Sequence, residues 1–424
     1  MKKYKIIVEY ADLVFFILAG AVIGVITGAV DALFGRVLIA ITGFRQENVL
    51  YLLPFLAPAG VLIVLCYKNF GGESIKGMSL VFEAGQGRRD TIPPRLIPFA
   101  MVSTWITHLF GGSAGREGVA VQLGAGVANC LDKNVVGKIF IRHNPSTHEE
   151  IHNVIKEREQ IRKIFVVTGM AAGFSGLFHT PVAALFFALE VLTVGELKLK
   201  AFVPAATASV TAFLTSELCG LEKFTVNLSK IVDNIDVNAA FWGKLALAGL
   251  IFGVVGGAFA WILKLAKEQL GKVFSNPVKK ILIIGIILSV VLLVLHCGRY
   301  CGLGTNLISE SFNGENIYAY DWILKFVLTI LTLAAGYQGG EVTPLFSIGA
   351  SLGIVLGNIL GLPVALVSAL GYAAVFGSAT NTLLAPVFIG AEVFGFEYTP
   401  YFIVVCSVAY IFNRSKSIYT LQEK

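Results

Sequence analysis

Two glutamates stand at glycine breaks between long apolar runs. Glu117 lies in Gly111-Gly112-Ser113-Ala114-Gly115-Arg116-Glu117-Gly118-Val119, at the end of the uncharged run 96–115. Glu341 lies in Gly336-Tyr337-Gln338-Gly339-Gly340-Glu341-Val342-Thr343-Pro344, with fifteen uncharged residues before it and fifty after. Glycine interrupts a helix and lets backbone approach a ligand closely. A helix restarting beyond it aims unpaired N–H groups and a positive dipole end at whatever sits before it, an arrangement suited to an anion. A carboxylate at that place can occupy the anion's position itself, and protonation would free it. Anion binding would then be coupled to protons. Pro344 favours a helix start in the second element. The structural alternative is that Glu117 pairs with Arg116 or caps its helix, and that Glu341 forms a salt bridge. A buried carboxylate between apolar segments is costly and points to function.

Other polar residues carry weaker signals. Gly77-Met78-Ser79-Leu80 has a counterpart in Gly304-Thr305-Asn306-Leu307, and Met78 alone reads as core. Glu190 and Glu392 recur at equivalent positions, which suits a shared structural role such as capping as well as transport. Tyr419 reads as an interfacial aromatic. His143, His148 and His152 lack the carboxylates or cysteines of a metal set. Cys66, Cys130, Cys219, Cys297, Cys301 and Cys406 read as small buried hydrophobes. No H-E-x-x-H element and no Ser/His set supports an intramembrane enzyme, and His108 and His179 read as structural. No metal and no cofactor is expected.

The elements that position these residues are membrane helices. Only 14% of the 424 residues are charged and 56% are hydrophobic, with a mean hydropathy of +0.77. A soluble domain needs roughly 25% charged residues to wet its surface. Uncharged runs at 13–30, 51–67, 96–115, 164–189, 201–216, 245–263, 281–298 and 398–413 mostly approach spanning length. The run 342–391 is too long for one helix and divides at its Gly and Pro residues. The run 13–30 lacks a cleavage site and is the first membrane helix rather than a leader. Basic clusters at Lys2 to Lys5, through 132–163 and at Arg414 to Lys424 place both termini and the 132–163 stretch in the cytoplasm. Membrane topology accounts for the net charge of +6. No nucleic-acid partner is needed, and the partner implied is the lipid bilayer. Within the polar stretch, Thr147-His148-Glu149-Glu150 reads as a capping box.

The chain repeats itself. Residues 169–192 align without gaps to 371–394 with nine identities in 24, among them Gly169/Gly371, Phe186/Phe388 and Glu190/Glu392. A weaker match joins 114–125 to 339–350. These matches divide the chain into a cytoplasmic N-terminus 1–10, a first half 11–217 holding the polar insertion 132–163, a linker 218–238, a second half 239–413 and a C-terminal segment 414–424 carrying Tyr419. Such repeats are a transporter signature, with the site near mid-membrane where the halves meet. The sequence leaves open whether the repeat is inverted.

Taken together, the G-R-E-G element at 115–118, the G-G-x-x-x-P element at 339–344 and Phe178-His179-Thr180-Pro181 resemble the CLC anion-transporter superfamily in order and spacing, over nearly the whole membrane chain. The resemblance implies an all-α polytopic membrane protein built as a CLC-type inverted repeat of many short, tilted and broken helices. It also implies a homodimer in the cell membrane with one anion pathway per subunit. Glu117 matches the gating glutamate, and Tyr419 matches the tyrosine that contacts the central anion. Chloride-handling relatives have serine where Met78 stands, proline at Val119, an apolar residue at Glu341 and phenylalanine at Val342. They carry an inner glutamate at Val191 when proton-coupled. Met78, Val119, Glu341 and Thr343 together resemble the CLC-F branch, which implies fluoride/proton antiport with Glu117 and Glu341 as gating and proton-coupling residues. The anion-binding set implied is Met78, Gly115, Gly118, Val119, Gly340, Val342, Thr343 and Tyr419. A CLC-type chloride/proton exchanger or a passive anion channel is the alternative.

Overall fold

Apolar runs closed by glycine, proline or asparagine dictate a chain of helices, and that is what forms. The computed structural model describes residues 2–136, 148–222, 224–232 and 237–424, with side chains from residue 12 on, those of 135–154 excepted. The capping box at Thr147 and the side chains of His143, His148 and His152 lie outside the described residues. In the first half, the principal helices are α1 (Lys2–Glu47), α2 (Leu56–Cys66), α3 (Met78–Gly85), α4 (Leu96–Leu109), α5 (Glu117–Leu131), α6 (His148–Phe178), α7 (Pro181–Glu190) and α8 (Phe202–Leu218). The second half runs α9 (Ala239–Val273), α10 (Pro277–Val294), α11 (Thr305–Asn313), α12 (Asp321–Ala335), α13 (Val342–Leu360), α14 (Val364–Thr380), α15 (Leu384–Phe394) and α16 (Thr399–Phe412). No strand forms among the described residues. The long uncharged run 342–391 divides as its composition requires. Gly361 closes α13 in the left-handed conformation, and Asn381 closes α14 in the same way.

Among the described residues, seven stretches, including Asp12–Glu47, Ala239–Val273, Pro277–Val294 and Val342–Leu360, are long and apolar enough to cross a membrane. Shorter apolar helices such as Pro181–Glu190 and Leu384–Phe394 accompany them. Leu18, Val22, Leu214, Ile286 and Val290 are exposed on α1, α8 and α10. In water such a surface would drive association; a surface of this kind suits a lipid environment.

The same neighbours pair in both halves. Helix α1 lies along α8 as α9 lies along α16, and α5 packs on α6 as α13 packs on α14. Small residues allow this closeness, since association in lipid relies on backbone approach. Gly124 meets Gly169, and their sequence counterparts Gly349 and Gly371 meet each other, with no room for a Cβ at any of the four. Across the halves, the repeated residues Phe186 and Phe388 stack at 4.6 Å with ring planes 10° apart. Among the cysteines, Cys301 and Cys406 are buried as expected. Cys297 is exposed, because it sits in a short turn with a positive φ of 46° at the end of α10 rather than within a helix.

Candidate anion-binding site

The two glycine loops predicted to precede helix starts lie side by side. Gly115 N–H donates to Gly340 O at 2.5 Å, and Gly340 N–H donates to Gly115 O at 2.8 Å, an antiparallel bridge between segments that correspond in the repeat. The start of α5 therefore faces the start of α13. Glycine at 340 eases this approach. A Cβ there would stand 3.0 Å from Gly118 N, 3.4 Å from Arg116 N and 3.5 Å from Glu117 N. The backbone of Gly340 thus lies directly against the first amides of α5.

Glu117 is fully buried. Its carboxylate accepts from Thr343 N–H at 3.0 Å and from Thr343 Oγ1 at 2.5–2.6 Å, and also from the N–H of Arg116 at 3.2 Å. Arg116 Nε stands 3.7 Å away. The side chain leaves its own helix start and occupies that of α13. A carboxylate already seated on a helix N-terminus marks a place where another small anion could sit instead.

Behind this seat opens a cavity of about 360 Å³. Met78, Gly118, Gln122, Lys267, Glu341 and Tyr419 line it. The Tyr419 ring is buried against Phe82, with centroids 5.1 Å apart. Glu341 is the residue before α13 and stays 17% exposed, 3.7 Å from Lys267 Nζ. Its carboxylate accepts no hydrogen bond among the described residues, in contrast to that of Glu117.

Of the predicted residues, Met78, Gly118, Glu341 and Tyr419 meet at the cavity, while Thr343 meets Glu117 at the seat. Gly115 and Gly340 are the paired loop residues. Val119 and Val342 point elsewhere. Val119 packs with Phe34 and Leu123, and its N–H is used within the turn by Arg116 O at 3.0 Å; Val342 packs in the main apolar core. Sequence reading did not single out Gln122, Lys267 or Gln338 as lining residues. Lys267 stands in a basic stretch, Lys264, Lys267, Lys272, Lys279 and Lys280, which membrane topology accounts for without a site. Outside the cavity, Lys325 is wholly buried on α12 and donates to Ser113 Oγ at 2.9 Å, Gly302 O at 2.6 Å and Tyr300 O at 3.1 Å, which fixes the loop ahead of Glu117. His108 and His179 are structural, as expected: His108 sits between Thr104 O and Ala114 O, and His179 bonds Ser216.

Broken helices whose starts converge on a shared polar site define a membrane protein of the ion-transporter class. The chain belongs to the voltage-gated chloride channel (CLC) family, whose model matches residues 59–414. It is 31% identical over 415 residues to a chloride/fluoride channel protein of Pseudomonas syringae pv. tomato, covering 96% of this chain and 85% of that one. It is 25% identical over 370 residues to an H(+)/Cl(-) exchange transporter of Yersinia pseudotuberculosis, covering 82% and 72%. Among solved structures it resembles a CLC-type fluoride/proton antiporter, with 49% identity, a TM-score of 0.90 and coverage of 98% and 99%. A slow cyanobacterial Cl-/H+ antiporter shares the fold at 18% identity, a TM-score of 0.76 and 96% coverage of each chain.

Proposed function

We propose that this protein is a fluoride/proton antiporter that exports fluoride across the cell membrane, driven by inward proton flow. The observation that carries the reading is the Glu117 carboxylate seated on the Thr343 N–H and hydroxyl, beside a cavity holding a second carboxylate, Glu341. The likeness to a fluoride/proton antiporter at 49% identity supports it. Ionised Glu117 holds the seat. Protonation weakens its hold on Thr343, and fluoride takes over the N–H and hydroxyl. Met78 lines the cavity in place of a hydroxyl donor suited to chloride. A small, strongly hydrated anion then depends on amides, on Thr343 and on a protonated Glu341 to replace its water. Gly115, Gly118, Gly340 and Tyr419 shape the pathway. Val119 and Val342 act through packing, which keeps both helix starts in place.

The two repeat halves, 11–217 and 239–413, are inverted in this reading and meet at the site; 218–238 links them and 414–424 brings Tyr419 to the cavity. Glu117 exchanges protons with the outside and Glu341 reaches the cytoplasmic cavity. A homodimer in the plasma membrane follows from family likeness, with fluoride and protons as transported ligands and no cofactor. A passive anion channel is the second reading, favoured by the channel name of the Pseudomonas relative.

The test is efflux from purified protein in liposomes loaded with fluoride or chloride, with proton uptake recorded in parallel. Fluoride efflux with stoichiometric proton uptake and little chloride movement is expected. Fluoride flux whose reversal potential ignores pH would establish the channel instead, and comparable coupled chloride flux would establish a chloride/proton exchanger.

A further inference from the structure

Lys267 is the one cation within ion-pair reach of Glu341 among the described residues, and Glu341 is its sole carboxylate partner there. It comes from α9, some 70 residues away in sequence, and stands 48% exposed at the cavity wall while Glu341 is 17% exposed. The other lining lysine, Lys76, is engaged with Glu73 at 3.3 Å. At 3.7 Å the pair has no hydrogen bond, so the carboxylate is held by charge alone and can turn. On its other side there is room for no more than a methyl group beside Gly118: a Cβ built there would touch Gly340 Cα at 3.6 Å and Glu341 Oε2 at 3.9 Å. Glu341 therefore stands between a cation facing the cavity and the backbone at the start of α5.

We propose that Lys267 is a positioning residue for the proton-coupling step, holding ionised Glu341 toward the cavity and releasing it toward Gly118 when the carboxylate takes a proton. The inference rests on the antiport reading above and adds the element that orients its inner carboxylate. The titratable groups that line the cavity with Glu341 are Lys267 from α9, Lys76 from the turn before α3, Tyr337 from its own loop, and Tyr419 from the C-terminal segment; Glu117 adjoins Gly118 on α5. Of these, only Lys267 and Lys76 bring positive charge. Removing Lys267 leaves the Glu341 carboxylate without the cation that holds it toward the cavity. Lys267 is half-exposed and partly screened, so the effect is modest.

The experiment is fluoride flux with parallel proton uptake in liposomes for the wild type, Lys267→Met and Lys267→Arg, with Lys264→Met, an exposed lysine one turn away on α9, as control. Infrared difference spectra follow the Glu341 carboxyl band, identified by its loss in Glu341→Gln. Lys267→Met is expected to lose proton uptake per fluoride moved and to displace the Glu341 band, because the carboxylate no longer has its cation. Lys267→Arg restores both and Lys264→Met leaves both in place. A coupling ratio and a Glu341 band in Lys267→Met that coincide with the wild type would overturn the proposal. The coupling ratio of the wild type separately reads the antiport assignment. If that assignment fails, the infrared band still decides whether Lys267 governs Glu341.

Discussion

Glu190 and Glu392 cap each other's neighbours across the two halves. The Glu190 carboxylate accepts the N–H groups of Leu383, Leu384 and Ala385 at the start of α15, at 2.7–3.1 Å. Glu392 accepts those of Val182 and Ala183 at the start of α7, at 2.8–3.1 Å. Each repeat thus satisfies the orphan amides of the other's short helix where no water can reach them. Replacing Glu190 with Gln keeps the shape but leaves one acceptor oxygen, with an NH₂ group turned on an N–H. We expect a loss of about 2 kcal/mol, read as a lower thermal midpoint in detergent, with proton-coupled fluoride flux retained in the protein that survives. Lost coupling at unchanged stability would move these glutamates from scaffold to transport.

Glu117→Gln tests the seat itself. The amide can still take a bond from Thr343, but it no longer cycles between a charged and a neutral form, so coupled proton uptake should fall to the protein-free baseline. Thr343→Val removes the hydroxyl that Glu117 shares at 2.5–2.6 Å. A hydrogen bond to a charged group contributes about 1.5–3 kcal/mol, so fluoride flux should drop roughly tenfold or more, with Thr343→Ser close to the wild type. Unchanged coupling in Glu117→Gln would remove this residue from the mechanism.

Much of this arrangement is readable from sequence because it is local. Glycine breaks, a glutamate at a helix start and a 24-residue internal match are all visible along the chain, and they point to Glu117, Glu341 and the two halves. What a helix start faces is not local. Lys267 sits in a 35-residue helix, and nothing in its neighbours says that this turn of α9 lies against the loop ahead of α13. Val119 shows the converse. It adjoins the glycine element, yet the first turn of α5 directs its side chain to Phe34 and spends its N–H on Arg116. Sequence proximity to a site fixes the backbone's place, whereas helical rotation decides which side chains reach it.

Lys325 tests how the loop ahead of Glu117 is held. Its ammonium has three donors, and three oxygens receive them: Ser113 Oγ, Tyr300 O and Gly302 O. Methionine matches the length but leaves two carbonyls and a hydroxyl short of a donor in a dry interior. Each buried acceptor left unsatisfied typically costs about 1–3 kcal/mol. Lys325→Met should therefore give little monodisperse protein, or a thermal midpoint far below that of the wild type. Lys264→Met, on the exposed face of α9, should stay within about 0.5 kcal/mol. Full stability in Lys325→Met would mean that Thr329, which pairs with Ser113 at 2.9 Å, suffices to hold the loop.

Gly340→Ala asks whether the close approach of Gly340 to the start of α5 governs fluoride passage. The added methyl would stand 3.0 Å from Gly118 N and 3.4–3.5 Å from the amides of Arg116 and Glu117. The neighbouring backbone would have to yield by a few tenths of an ångström, which the paired Gly115 and Gly340 loops can absorb without unfolding. Fluoride flux should fall at least tenfold, about 1.4 kcal/mol, while the protein still elutes as a single species. Gly243→Ala on α9 is the matched control, because its Cβ would meet open space and alanine favours a helix by about 1 kcal/mol over glycine. Wild-type flux in Gly340→Ala would show that the close approach of Gly340 to the start of α5 does not govern fluoride passage, and the Thr343 side of the seat would then have to hold it alone.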